Sequence, residues 1–240
     1  FSDVNFRRAL AYAINYERLL PVWQGVATLA QGPFPATFRP WFAQSANVRY
    51  SLNPQKARTY FERAGFKTIP IAPPLQFEVM WQQGNRAQRD MADLIREDWA
   101  KVGIQLNIKE TPLPPFREAV WTKKFDIGFV QAPLRYNDPD SLASLFYVSS
   151  EIRYRGFNPG YRNARVDEIV RLGRATINPS TRAQLYKEFQ HIVTDEVAVL
   201  YLVNKLHAFA YRKEVEGIRW NPNYGPHFRA YEMNKNPNPK

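Results

Sequence analysis

The chain has 240 residues, of which 45% are hydrophobic and 23% charged, so it can bury a sizeable core and is not a disordered protein. It contains no cysteine, which excludes disulfides, thiolate metal sites and a cysteine nucleophile. No apolar run approaches the ~18–20 residues that a membrane helix needs. The 33 basic and 22 acidic residues give a net charge of +11, but the basic residues occur singly or in pairs throughout the chain. That distribution indicates a solvated basic surface and argues against nucleic acid as a partner.

The first part of the chain opens directly on helical patterns. Asp3 can cap a first helix, and Asn15 offers a second cap. A short strand-like piece, "GVATLAQGPFP", follows and ends in Gly and Pro. A further helix is predicted from Asn53, which caps it, through Pro54 at its first turn to Gly65 at its end.

The middle of the chain alternates between strand and helix periodicity. Residues 75–81 have apolar side chains at every second position, which is typical of a strand, and residues 86–101 carry a helical apolar stripe that stops at Gly103. A second alternating strand starts at Ile104, and it is followed by a short helix, "FREAVWTKK", and a short buried strand, "FDIGFV". This alternation predicts an α/β fold.

The last third is predicted to contain two helices, Val166 to Ala175 and Ser180 to Thr194, joined by Asn178-Pro179. The segments "EVAVLYLV" and "LHAFAYR" then have the composition of a pair of strands. A Pro- and Asn-rich tail closes the chain. With no internal repeat or linker, the economical interpretation is one compact lobe.

No catalytic motif is present. The chain has neither a phosphate-binding GxxxxGK[ST] loop nor a GxSxG elbow, and its three histidines are too far apart in sequence for a helical zinc pair. Asp138 and Asp140 could act as a general acid and base, for example in a glycosidase, but Asp-Pro-Asp at a helix start is what capping favours. The sequence therefore predicts a protein that is not an enzyme and has no cofactor and no metal site.

Seven stretches, in order and over nearly the whole chain, resemble the peptide/nickel-type (family 5) extracellular solute-binding proteins of ABC importers. They are "VNFRRALAYAINYERLL…GVATLAQGPFP", "NPQKARTYFERAGF", "DMADLIREDWAKVGIQLNI", "FDIGFV…YNDPDSLASLF", "NPGYRNARVDEIV", "INPSTRAQLYKEFQHIVTDEVAVLYLV" and "YRKEVEGI". The resemblance implies a periplasmic-binding-protein-like (type II, Venus-flytrap) lobe, with a mixed sheet flanked by helices. It identifies residues 1–214 as the second lobe and residues 215–240 as a return segment toward the hinge and a missing first lobe.

The same resemblance implies the function. The protein would capture a peptide or another small polar solute in the cleft between its lobes and deliver it to an ABC transporter permease. It would act in the periplasm or at the extracellular face of the cytoplasmic membrane, peripheral to that membrane. The alternative is a peptide-binding, chaperone-like protein that is not coupled to transport.

The segment "FVQAPLRYNDPDSLASLF" is the candidate ligand turn. In oligopeptide-binding members of the family, an Asp before Tyr-Asn pairs with the ammonium group of the peptide, and an Arg and a Trp a few residues earlier line the same site. This chain has Arg135, Phe129 and Ala132 at those three places. An Arg repels an ammonium group but suits a carboxylate or a phosphate, so the cargo is expected to be anionic. Alternatively, Arg135 pairs with Asp138 or Asp140 and stiffens the turn.

Aromatic residues are abundant and can either fill the core or line a groove for small molecules. Trp81 continues the buried face of a predicted strand, which favours the core, but it is also counted as a candidate ligand contact. The candidate ligand contacts are Phe129, Ala132, Arg135, Tyr136, Asn137, Asp138 and Trp81. Peptides, oligosaccharides, phosphorylated sugars and metal chelates all remain possible cargo.

Overall fold

A computed structural model describes residues 1–43, 50–132, 136–150, 157–206, 209–219 and 230–236. Its helices are α1 (Val4–Tyr12), α2 (Pro54–Arg63), α3 (Arg86–Ala100), α4 (Leu113–Thr122), α5 (Asp140–Tyr147), α6 (Ala164–Ala175) and α7 (Pro179–Asp195), with 3₁₀ turns at Tyr16–Leu19, Pro21–Trp23 and Ala230–Glu232. Its strands are β1 (Ala27–Leu29), β2 (Leu75–Gln82), β3 (Ile104–Thr111), β4 (Ile127–Gly128), β5 (Val203–Lys205), β6 (Val215–Glu216) and β7 (Asn234–Lys235). None of the helices in these ranges is long and apolar enough to span a bilayer.

The helix starts follow the predicted capping chemistry. The side chain of Asp3 accepts hydrogen bonds from the backbone N–H groups of Asn5 and Phe6, at 2.6 and 3.0 Å, and Asn53 accepts one from Lys56 at 2.9 Å. These bonds satisfy donors that have no partner inside the helix. The predicted caps at Asp3 and Asn53 are confirmed, and the predicted cap at Asn15 is wrong. Asn15 also precedes a helical segment, but that segment is a 3₁₀ turn and the Asn15 side chain makes no capping bond.

A three-stranded parallel sheet, in the order β3-β2-β4, is the centre of the fold. β2 pairs along its whole length with β3, and at Val79 and Met80 it also pairs with β4. Parallel neighbours need a crossover connection, which α3 supplies between β2 and β3. Val79, Met80 and Trp81 are all buried because this half of β2 is covered on both faces.

Gly103 makes the tight exit from α3 into β3 possible. Its φ is +86°, a conformation that L residues rarely adopt, and a Cβ at this position would lie 2.3 Å from the backbone N of Ile71. The predicted stop of the helix at Gly103 is therefore confirmed, and its reason is a close backbone contact as well as the turn.

The expected mixture of parallel and antiparallel pairing is present but is divided between sheets. β1 pairs with β5, and β6 pairs with β7, in two separate antiparallel ribbons. The predicted strand pair of residues 196–203 and 206–212 is wrong within the described residues. Only Val203–Lys205 is a strand there, and its partner is β1.

The physical reason lies at the end of α7. The N–H of Val197 bonds to the carbonyl of Thr194, and the N–H of Ala198 bonds to that of Val193, both at 3.2 Å. This is a Schellman cap, with Val197 at φ +47° in the position that usually holds Gly. Residues 196–198 are thus used to end a helix. An apolar composition that favours a strand does not reveal this.

The buried apolar residues form two main clusters. The sheet core joins α1, α2, α3, β2 and β3, and it includes Leu10, Ile14, Phe61, Trp99 and Ile104. The helical core joins α5, α6 and α7 to the segment after β1, and its buried residues are Phe34, Phe38, Leu142, Ala143, Phe146, Tyr147, Val148, Val166, Ile169, Val170, Tyr186, Phe189 and Val193.

Candidate ligand-binding cleft

A large open cleft is lined by residues from both cores. Its volume is about 2320 Å³, well above the ~300–1,000 Å³ of ordinary small-molecule pockets. Its walls come mainly from the segment after β1, from β4 with the residues that follow it, from the loop before α6, and from residues 195–206. Such a trough can accommodate an extended or bulky ligand.

Three of the sequence-predicted contacts lie along this cleft. Phe129 is partly buried against the sheet core, and its N–H extends the β4–β2 pairing by bonding to the carbonyl of Met80 at 3.0 Å. Ala132 and Asn137 are exposed, and they line the cleft together with Phe129. The parallel sheet thus directs the chain after β4 along the cleft wall.

Three other predicted contacts lie outside the cleft lining. Trp81 is only 6% exposed within β2, and neither it nor Tyr136 nor Asp138 is among the cleft-lining residues. Tyr136 is 43% exposed, next to the turn. Arg135 lies outside the described residues.

The turn before α5 is fixed by charged side chains of α6 and α7. Asp138 Oδ1 accepts the backbone N–H of Asp140, the first residue of α5, at 2.8 Å, although the N-cap position itself is held by Pro139. The same oxygen accepts from Arg182 Nη2 at 2.8 Å, and Asp140 Oδ1 accepts from Arg174 Nε at 2.9 Å. Each carboxylate of the Asp-Pro-Asp turn therefore already has an arginine partner and a structural role.

Arg182 is the best-supported of these partners. Its guanidinium lies over the rings of Trp41 and Tyr186, at 5.6 and 5.1 Å from their centroids, and Nε donates to the carbonyl of Gly173 at 2.7 Å. The hydrogen bond to Asp138 raises the pKa of Arg182. Stacking and hydrogen bonding together hold the Asp138 turn against α7.

A second anchor of the cleft wall is centred on Glu196. The Tyr161 hydroxyl donates to Glu196 Oε2, and Asn163 Nδ2 donates to Oε1 at 3.0 Å. Arg7 donates through Nη2 to the Glu196 carbonyl at 2.7 Å and through Nε to the Val197 carbonyl at 3.1 Å. These bonds join the start of the chain, the loop before α6 and the end of α7. Sequence reasoning missed this cluster because each of these hydrogen bonds joins residues that are more than 30 positions apart.

Burial raises the pKa of Tyr161, and the hydrogen bond to Glu196 raises it further. Burial, opposed by the Glu196 carboxylate, lowers the pKa of Arg7. Tyr161 is consequently a neutral hydrogen-bond donor at ordinary pH.

The charged residues that line the described cleft are predominantly basic. They are Arg7, Arg8, Lys123, Arg162 and Lys205, against Asp126, Asp195 and Glu196. All three acidic side chains already accept hydrogen bonds: Asp126 from the N–H of Glu78 at 2.9 Å, Asp195 from Arg8 at 2.6 Å, and Glu196 as described above. The cleft surface therefore favours an anion over a cation.

The side chains that the structure describes include no group of three His, Asp or Glu residues arranged to hold a metal ion. The nitrogen and oxygen atoms of the described cleft include those of amide, hydroxyl, guanidinium and ammonium groups and of engaged carboxylates. They can bind and orient a solute.

The parallel sheet with its flanking helices and the open trough beside it define one α/β lobe of a periplasmic-binding-protein-like (type II) fold. Residues 1–154 match the sequence profile described as bacterial extracellular solute-binding proteins, family 5 Middle. The chain belongs to this family.

Similar proteins support this assignment. A probable D,D-dipeptide-binding periplasmic protein of Escherichia coli (strain K12) is 23% identical over 235 residues, which cover 98% of this chain and 44% of that protein. Heme-binding protein A of Haemophilus influenzae is 29% identical over 203 residues, covering 82% of this chain and 35% of the relative. A periplasmic binding protein from Helicobacter pylori, solved with the peptide STSA, superposes with a TM-score of 0.80 at 18% identity and covers 98% of this chain and 44% of that one.

The chain spans less than half the length of these proteins. The relatives are named as binding proteins and not as enzymes. The resemblance seen in the sequence is confirmed at the level of family and fold.

Proposed function

We propose that this chain is the second lobe of an extracytoplasmic solute-binding protein that supplies an ABC importer. In this proposal residues 1–214 form the lobe and residues 215–240 return toward the hinge. A first lobe, outside this chain, would cover the cleft when cargo binds, and the closed form would deliver the cargo to a permease at the outer face of the cytoplasmic membrane. The observation that carries the proposal is the 2320 Å³ trough in a chain of this family.

Binding by one lobe alone would be weak. Closure of two lobes on a ligand shifts an open–closed equilibrium, and each lobe contributes its own contacts to the stability of the closed form. A wide trough on one lobe is therefore expected for a half-site.

The cargo in this proposal is a peptide or another small polar solute that carries an anionic group. Arg135 would contact that group, with Phe129, Ala132 and Asn137 lining the neighbouring wall. Two observations support an anion. The carboxylates of Asp138 and Asp140 already have Arg182 and Arg174 as partners, and the described cleft has an excess of basic residues.

The experiment is native mass spectrometry of the whole two-lobe protein, here called the parent protein, purified without unfolding. We expect a co-purified cargo with a carboxylate or phosphate group, and we expect Arg135→Asp to lose it. Reversing a charge that contacts a ligand costs several kcal/mol, so the occupied fraction should fall at least about tenfold. Arg89→Asp is the matched control, since Arg89 is an exposed residue of α3 that does not line the cleft.

Peptides with a free amino group, carried equally by the wild type and the Arg135→Asp variant, would contradict the anionic part of the proposal. A parent protein that carries no cargo and binds no solute would contradict the whole proposal.

A further inference from the structure

The loop before α6 is held in one conformation from inside. Asn158 is fully buried, and its Nδ2 donates to the carbonyls of Val148 and Tyr161 at 3.1 and 3.0 Å. Its Oδ1 accepts the N–H of Gly160 at 2.8 Å, and Gly160 adopts a φ of +104°. A buried amide with both ends hydrogen-bonded fixes the path of this loop.

Tyr161 and Asn163, the next residues of the loop, are also held by hydrogen bonds to the residue that follows α7. Tyr161 and Asn163 both donate to the carboxylate of Glu196. The ring of Tyr161 also lies edge-on to that of Tyr147, with centroids 6.1 Å apart. Arg162 is therefore placed between two residues that bind the same carboxylate.

Arg162 itself is exposed and lines the cleft. Among the residues that the structure describes, none accepts a hydrogen bond from its guanidinium or forms an ion pair with it. Arg7, Arg8 and Arg182 differ in this respect, since each donates to a carbonyl or carboxylate at 3.1 Å or less. The acidic side chains of the described cleft wall are engaged with other donors, as shown above.

We propose that Arg162 is an anion-binding residue of the cleft that binds a carboxylate or a phosphate of the cargo. Its planar guanidinium offers five N–H donors and fits both groups through paired hydrogen bonds. The rigid backbone on either side reduces the conformational entropy that binding would otherwise cost. This subsite rests on the proposed function, in that cargo occupies this cleft, but it is independent of Arg135.

The test is a nuclear magnetic resonance titration of the cargo-free parent protein that follows the arginine Nε–Hε signals. The Arg162 signal is identified by its loss in Arg162→Gln. Four probes separate the ligand groups: trialanine, trialanine amide, glucose 6-phosphate and glucose. We expect saturable shifts of the Arg162 signal with trialanine or glucose 6-phosphate, and none with trialanine amide or glucose, which lack the anionic group.

Arg162→Gln should weaken binding of the active probe about tenfold or more, because a hydrogen bond to a charged group is lost. Arg162→Lys should recover part of the affinity, and Arg89→Gln should leave it unchanged. Since Arg162 makes no bond to another described residue, Arg162→Gln should not change the Tm.

Two outcomes would overturn this inference, and they differ in what they imply. Equal affinity of trialanine or glucose 6-phosphate for the wild type and Arg162→Gln would remove Arg162 as a ligand contact and leave the proposed function in place. A parent protein that binds none of the four probes and carries no cargo would contradict the proposed function as well.

Discussion

The sheet core and the cleft wall are stabilised in different ways. The sheet core joins α1 and α2 to the consecutive elements β2, α3 and β3, and local periodicity sets the apolar faces of these elements. The cleft wall consists of loops that are held by polar bonds between distant residues, such as Tyr161 with Glu196 and Arg182 with Asp138. The comparison indicates that local apolar periodicity sets the sheet core, whereas the shape of the binding surface depends on a few polar anchors.

The largest expected effect is unfolding at alkaline pH. Burial raises the pKa of tyrosines in both regions. They are Tyr147, Tyr161, Tyr186 and Tyr201 in the wall or the helical core, and Tyr16 and Tyr50 in the sheet core. A raised pKa in the folded state stabilises the fold below the unfolded-state pKa of about 10, and this contribution is lost as the pH rises further. The contribution of these tyrosines to the free energy of unfolding should therefore be constant up to about pH 9. The free energy of unfolding should fall steeply above about pH 10.

Circular dichroism and tyrosinate absorbance, recorded together against pH, measure this effect. Tyrosinate should appear together with the loss of structure. All tyrosines titrating near pH 10 with the fold intact would contradict the burial argument.

The second prediction concerns the sheet core. Phe61 is fully buried, packs against Phe6 and Phe66, and does not line the cleft. Phe61→Ala should lower the free energy of unfolding by about 3–5 kcal/mol, and Phe61→Leu should cost clearly less. Urea denaturation gives these values. Cargo affinity of the folded parent protein should not change, and a specific loss of affinity would show that the two regions are not separable.

The third prediction concerns Arg182, whose ion pair with Asp138 holds the turn before α5. Arg182→Met keeps much of the apolar stem but loses the hydrogen bonds to Asp138 and Gly173. We therefore expect the free energy of unfolding to fall by about 1–3 kcal/mol. A double-mutant cycle with Asp138→Asn should give a coupling of about 0.5–3 kcal/mol. Unlike Phe61→Ala, this change should also weaken cargo binding, which calorimetry on the parent protein would measure. Additive effects of the two changes would show that the ion pair does not fix the turn.

The smallest expected effect is that of Tyr161→Phe. The variant loses the hydroxyl that donates to Glu196, while the hydrogen bond from Asn163 remains. The free energy of unfolding should therefore fall by about 0.5–1.5 kcal/mol. Denaturation at neutral pH measures it, with Tyr211→Phe, an exposed tyrosine, as the control. An effect above ~3 kcal/mol would mean that Glu196 has no other adequate donor in the wall.

The same contrast explains what the sequence could predict. Asp3, Asn53 and the turn at Gly103 act within a few residues of their own position, so capping rules and periodicity predicted α1, α2, α3, β2 and β3. The strand pair after residue 195 was wrong because Val197 occupies a left-handed helix cap that is normally held by Gly. The anchors at Arg7, Glu196 and Arg182 are long-range contacts, which no local pattern encodes.

In the proposed function, the described trough of this chain forms one wall of the cargo site. Hydrogen–deuterium exchange on the parent protein, with its co-purified cargo and after removal of that cargo, tests it most directly. We predict that cargo slows exchange at residues 129–132, 157–162 and 196–205, while α2, which does not line the cleft, is unchanged. Protection that appears in α2 and is missing from all three cleft segments would show that the trough does not form a wall of the cargo site.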